Sequence, residues 1–92
     1  MSRHPVYKLC LYITGASPNS ARAVQNVRDI CDQHLPSRHQ LEIVDLYQQP
    51  AAAIKNHVVA IPMLVKLAPL PKKTLIGDLS DTEKVLESLS LK

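Results

Sequence analysis

Tyr12-Ile13-Thr14-Gly15-Ala16-Ser17-Pro18 constrains this chain more than any other stretch. Apolar residues run from Val6 to Ile13, and only Lys8 interrupts them. That is the pattern of a strand buried on both faces, central in a parallel or mixed sheet. Thr14 to Ser17 then forms a turn. Ser17 is a good helix N-cap and Pro18 a good first helical residue. Ala21, Val24, Val27, Ile30, Cys31 and Leu35 recur at helical spacing. They predict a helix from Pro18 to His34, stopped by Pro36. A central strand that passes through one tight turn into a long helix commits the chain to an α/β layered fold.

The rest of the sequence extends that unit. Leu41 to Leu46 predicts a second strand, so the first two strands should be parallel neighbours with a right-handed crossover. Pro50 starts a short Ala-rich helix over Ala51 to His57. Val58 to Leu67 suits a third strand, but Pro62 cannot donate a ladder hydrogen bond and belongs at its first residue or edge. Ala68-Pro69-Leu70-Pro71 is a stiff turn, after which Lys72 to Ile76 can return antiparallel. Gly77 to Ser80 is another turn. Ser80 or Asp81 caps a last helix, and Glu83 fits a capping box with Ser80. Val85, Leu86 and Leu89 supply its buried face. The predicted order is β-α-β-α-β-β-α in one domain spanning residues 1–92.

Composition removes several classes of function. Hydrophobic residues make up 46% of the chain, too many for a disordered segment. Three tyrosines are the only aromatic residues, so the core must be aliphatic. Eleven basic against eight acidic residues give a charge of +3. This excess is mild and scattered apart from Lys72-Lys73, which disfavours a nucleic-acid partner. Met1 to Pro5 lacks the apolar core of a signal peptide, and no run approaches the roughly 18 apolar residues of a membrane span. The expectation is a cytoplasmic protein with no membrane contact, in which Cys10 and Cys31 are free thiols used for packing.

Catalytic chemistry finds no footing. A dithiol oxidoreductase needs Cys-x-x-Cys at a helix N-terminus, where the dipole lowers a thiol pKa. The equivalent turn reads Ala16-Ser17-Pro18-Asn19, and Cys31 falls late in the helix. His4, His34, His39 and His57 lack metal-ligand spacing with one another or with the cysteines. Gly15 and Gly77 alone cannot build a phosphate loop. No Ser-His-Asp set is identifiable. No catalytic residue, metal or cofactor is expected, and a thiol-disulfide oxidoreductase is disfavoured.

Binding is the remaining reading. Arg22 should be exposed in the first turns of the helix, off its apolar stripe. Lys66, Lys72 and Lys73 flank the proline turn as solvent-exposed strand ends. Together with Arg22 they would form a basic patch that steers toward an acidic partner. Gly77 can adopt a positive φ, so Gly77 and Asp78 are expected to act on backbone conformation rather than on contact. A basic interaction domain or a sensor domain is the alternative within this class.

The predicted element order is that of thioredoxin, and Ile61-Pro62 stands where thioredoxin-like domains carry a cis-proline. Four segments narrow the likeness: Leu9 to Gly15, Ser17 to Ala23, Ile43 to Leu46, and Ile76 to Leu86. They resemble the KaiB family, and the Pro-Asn-Ser-x-Arg and Ile-Gly-Asp-Leu-Ser pieces are specific in combination. The resemblance implies a regulatory protein without enzymatic activity that binds KaiC, a RecA-type hexameric ATPase, with Arg22 among the contacts. It also implies two folds for one sequence. One is the thioredoxin-like state; the other is a ground state ordered βαββααβ that assembles as a tetramer or dimer. Pro62, Gly77 and Asp78 are the positions expected to bias that switch. Lys73-Thr74 stands where the family has two arginines, Glu42 and His57 where circadian members tend to have lysines, and no acidic tail follows Leu91-Lys92. These departures fit a non-circadian homologue in a clock-like or stress-response system.

Overall fold

The computed structural model describes residues 6–91. Expectations that fall on Met1 to Pro5, His4 among them, and on Lys92 lie outside the described residues. The elements follow the predicted order: β1 (Tyr7–Ile13), α1 (Pro18–His34), β2 (His39–Asp45), α2 (Ala51–Lys55), β3 (Met63–Ala68), β4 (Lys73–Ile76) and α3 (Thr82–Ser88). This is the thioredoxin-like arrangement. The last segment, Thr82–Ser88, is helical, as the thioredoxin-like order requires.

The strands form one mixed sheet in the order β2-β1-β3-β4. β1 pairs parallel with β2, Tyr7 opposite His39 through Ile13 opposite Asp45. β3 runs antiparallel to β1 and to β4. The C-terminal ends of β1, β2 and β4 therefore share one end of the sheet with the start of β3.

β1 is buried on both faces, and its alternation feeds two cores. Leu9 and Leu11 pack with Ala23, Val27, Ile30 and Cys31 of α1, with Leu64, and with Val85, Leu86 and Leu89 of the α3 region. Cys10 and Tyr12 face the other way and pack with Val44, Met63 and Val65 under α2. The period-2 alternation of a strand lets one apolar run serve both layers.

The structure refines several of the sequence expectations. The buried stripe of α1 includes Ser20 and Ala23, while Ala21 is exposed. Ser20 is tolerated inside because its hydroxyl accepts from the Thr14 N–H at 3.2 Å and from the Ser17 hydroxyl at 2.8 Å. α2 stops at Lys55, ahead of His57, whose φ is +55°. β3 begins at Met63 rather than Val58; the Ile61–Pro62 peptide immediately before it is cis. Of the two caps the sequence offered for α3, Asp81 is the one used, accepting from Lys84 N–H at 3.2 Å.

Candidate partner-binding surface

The turn from β1 into α1 is held by side chains at its base. Ser17 caps α1 by accepting from Ser20 N–H at 3.3 Å. Asp45, the last residue of β2, accepts at one carboxylate oxygen from Gly15 N–H at 3.0 Å and Tyr47 N–H at 2.9 Å. Asp45 thus ties the β1–α1 turn to the end of the neighbouring strand. Sequence reasoning missed this role; the available signal was an acidic residue directly after the apolar pair Ile43-Val44 at the strand's end. Gly15 takes φ +57°, and a Cβ there would sit 2.9 Å from the Tyr47 ring. The backbone twist favours glycine, and a Cβ would in addition displace the exposed Tyr47 ring.

Arg22 lies one turn into α1 and its side chain is 56% exposed, as the sequence predicted. Its Nε is 3.4 Å from Asp78 Oδ2, and its Nη2 donates to Asn19 Oδ1. Asp78 therefore forms an ion pair within the chain that the sequence did not reveal. Its other carboxylate oxygen accepts from Ser80 N–H at 3.0 Å. Its backbone carbonyl accepts from Asn26 Nδ2 at 2.8 Å. The Ser80 hydroxyl and backbone N–H, with a smaller contribution from Arg22, hold the Asp78 carboxyl below its usual range. Gly77 has φ +116° and donates its N–H to the Pro62 carbonyl at 3.0 Å. Pro62, Gly77 and Asp78 consequently meet at the same end of the sheet as Arg22.

The predicted basic patch does not assemble. Lys66 is 2% exposed, with its ammonium 5.9 Å from the centre of the Tyr7 ring. Its position in β3 turns the side chain to the same face as Leu64, because residues two apart share a face. Lys72 and Lys73 are exposed, but Lys73 pairs with Lys66 at the far end of β4. Three residue steps separate it from Ile76, about 10 Å at strand rise. Arg22 follows the opposite end of β1. The turn prolines do not fold these cations together, because the strand between them is extended.

The thiols are placed for packing rather than chemistry. Cys10 and Cys31 are both free and buried. Burial pushes the Cys31 thiol up to about 11, with the charge of Asp32 adding to it. Burial also raises Cys10, against a hydrogen bond from Tyr12 that acts the other way. Neither thiol has the lowered pKa that a nucleophilic cysteine requires. Among the described residues no group of three or more histidine, cysteine or acidic side chains could hold a metal ion. No helix among them is long and apolar enough to cross a membrane.

A thioredoxin-like sheet whose helix-capping turn carries a serine and a proline, with no cysteine, defines a thioredoxin-fold protein without the dithiol. Solved structures support that class. The N-terminal domain of Synechococcus elongatus SasA superposes with a TM-score of 0.74 at 24% identity, covering 100% of this chain and 90% of that one. Fasciola hepatica thioredoxin superposes with a TM-score of 0.73 at 16% identity, covering 95% and 82%. At these identities the likeness concerns the fold alone. Within that class the chain belongs to the KaiB family, whose KaiB domain matches residues 10–91. It is 40% identical over 91 residues to the circadian clock oscillator protein KaiB of Prochlorococcus marinus strain MIT 9312, covering 99% of this chain and 87% of the relative.

Proposed function

We propose that this protein is a regulator without enzymatic activity that acts by binding a KaiC-like hexameric ATPase in a clock-like or stress-response system. The observation that carries this reading is the match of residues 10–91 to the KaiB domain. The relatives are named as circadian clock oscillator proteins, and a regulatory role is the common ground. The geometry is compatible with such a role: an exposed arginine is held at a well-anchored helix start, while the thiols are buried.

The proposed contacts are Arg22 at one end of the sheet and the exposed pair Lys72 and Lys73 at the other. Lys66, being buried, belongs to the framework of this state. A partner touching both ends must therefore meet the protein along its length. The reading also gives the region after Pro50 a second packing, in which Asp81 to Leu89 enters a strand and copies of the chain associate. Pro62, Gly77 and Asp78 are the proposed switch positions, since they join β3, β4 and the turn before α3. Such a switch needs two packings within a few kcal/mol.

The test is binding of the purified chain to its cognate KaiC-like ATPase with ATP, with ADP and without nucleotide. Binding in at least one nucleotide state is expected, weakened by Arg22→Ala and by Lys73→Ala. A chain that binds in none of them refutes the proposal.

A further inference from the structure

Arg22 is restrained on two sides. Its Nε faces Asp78 Oδ2 across 3.4 Å, and its Nη2 donates to Asn19 Oδ1. Restraints at two different nitrogens fix the plane of a guanidinium, whereas one would let it pivot. Asn19 is on the same helix, three residues earlier. Asp78 is reached across the molecule, and it is itself immobilised. Ser80 N–H holds its Oδ1 at 3.0 Å, and Asn26 Nδ2 holds its carbonyl at 2.8 Å. Asn26 lies four residues beyond Arg22, on the same helix face. The carboxylate is thus an anchor, and the arginine is the group being placed.

A guanidinium carries five N–H donors in one plane, and its terminal fork matches a carboxylate in a bidentate pair. Asp78 engages the Nε side and Asn19 one terminal nitrogen, which leaves the remainder of the fork on a side chain that is 56% exposed. We propose that Asp78 and Asn19 are positioning residues that hold Arg22 ready for bidentate capture of a carboxylate on the partner surface. This inference rests on the reading that Arg22 contacts an ATPase partner. An exposed ion pair is itself weak, so Asp78 costs Arg22 little of its attraction for a second acid. What Asp78 contributes is order, because an arginine already held in place loses less freedom on binding.

The test compares the full-length wild type, Asp78→Asn, Arg22→Ala, Arg22→Lys and the Asp78→Asn/Arg22→Ala pair against the cognate ATPase. Asparagine keeps the oxygen that accepts from Ser80. Asp78→Asn should weaken binding about three- to tenfold, the scale of one side chain's immobilisation. In the Arg22→Ala background the same change should cost nothing further. Arg22→Lys should bind as poorly as Arg22→Ala, since it keeps the charge and loses the fork. Unchanged or tighter binding by Asp78→Asn overturns the proposal, because the pair would then be inert or would mask Arg22. So does a loss that persists without Arg22. A second measurement needs no partner: ¹⁵N relaxation of the Arg22 Nε–H in the free chain. A restricted vector in wild type that becomes mobile in Asp78→Asn supports positioning; a mobile vector in wild type overturns it, whatever the ATPase does.

Discussion

Gly15 shows how a single residue is constrained twice. Its φ of +57° disfavours any L side chain, and its missing Cβ leaves room for the Tyr47 ring 2.9 Å away. Gly15→Ala should destabilise the protein by about 1–2 kcal/mol from backbone strain alone, read as a lower urea midpoint. Adding Tyr47→Ala should relieve the clash and leave the strain. Gly77 isolates the backbone effect: its φ is +116°, yet nothing lies within 4 Å of a Cβ placed there. Gly77→Ala should therefore destabilise without any second-site change of a neighbouring side chain restoring it. The sequence disclosed that these two glycines sit in turns. It disclosed Arg22 as exposed, because one charged residue off a helical stripe is a local fact. It did not disclose that Asp78, fifty-six positions later, would stand beside it, and it assigned Lys66 to the surface although the side chain is buried.

Among the elements, α1 was read from sequence with its bounds intact. Ser17, Pro18 and Pro36 are local signals that act through the backbone itself, independent of tertiary context. Ser17→Ala should cost about 1 kcal/mol, measured by chemical denaturation, and Asp81→Ala a similar amount at α3 for the same reason. The loss at Ser17 should be the larger, because its hydroxyl also donates to buried Ser20. The phase of the α1 stripe was less legible. Alanine is indifferent to burial, so Ala21 and Ala23 were exchangeable on paper, and Ser20 becomes a core residue only through Thr14 and Ser17. Residues 58–62 were apolar enough to read as strand. The chain instead turns at His57, and Val58 N–H donates back to the Ala53 carbonyl at 2.9 Å. Val59 is left 79% exposed, which no rule based on hydropathy anticipates.

At the scale of the whole molecule, stability depends on the central pair β1 and β3, which bind helices on both faces. Leu11→Ala or Leu64→Ala, each at fully buried positions, should cost about 2–5 kcal/mol. In so small a domain that loss should appear as partial unfolding at ambient temperature, visible by circular dichroism. Alkaline titration should also unfold the chain. The fold raises Cys31 from 9.0 to about 11 and Tyr12 from 10.0 to about 12, burial being the first cause in both. Raised pKa values favour the protonated form in the folded state. Their contribution is whole below pH 9 and declines as pH rises through about 11 and above. The urea midpoint should hold from pH 7 to 8.5 and then fall, less steeply over pH 9–11 in Cys31→Ala. The sequence by itself determined the order of elements, the parallel β1–β2 pair, the start and stop of α1 and the lack of a dithiol at its turn, because periodicity, caps and turn residues act over a few neighbours. Only the tertiary structure decided the strand order β2-β1-β3-β4, the burial of Lys66, the distance between Arg22 and Lys73, and the union of Arg22 with Asp78. Each of those depends on which distant segments the sheet brings side by side, and long-range register is set by the packing of two cores at once.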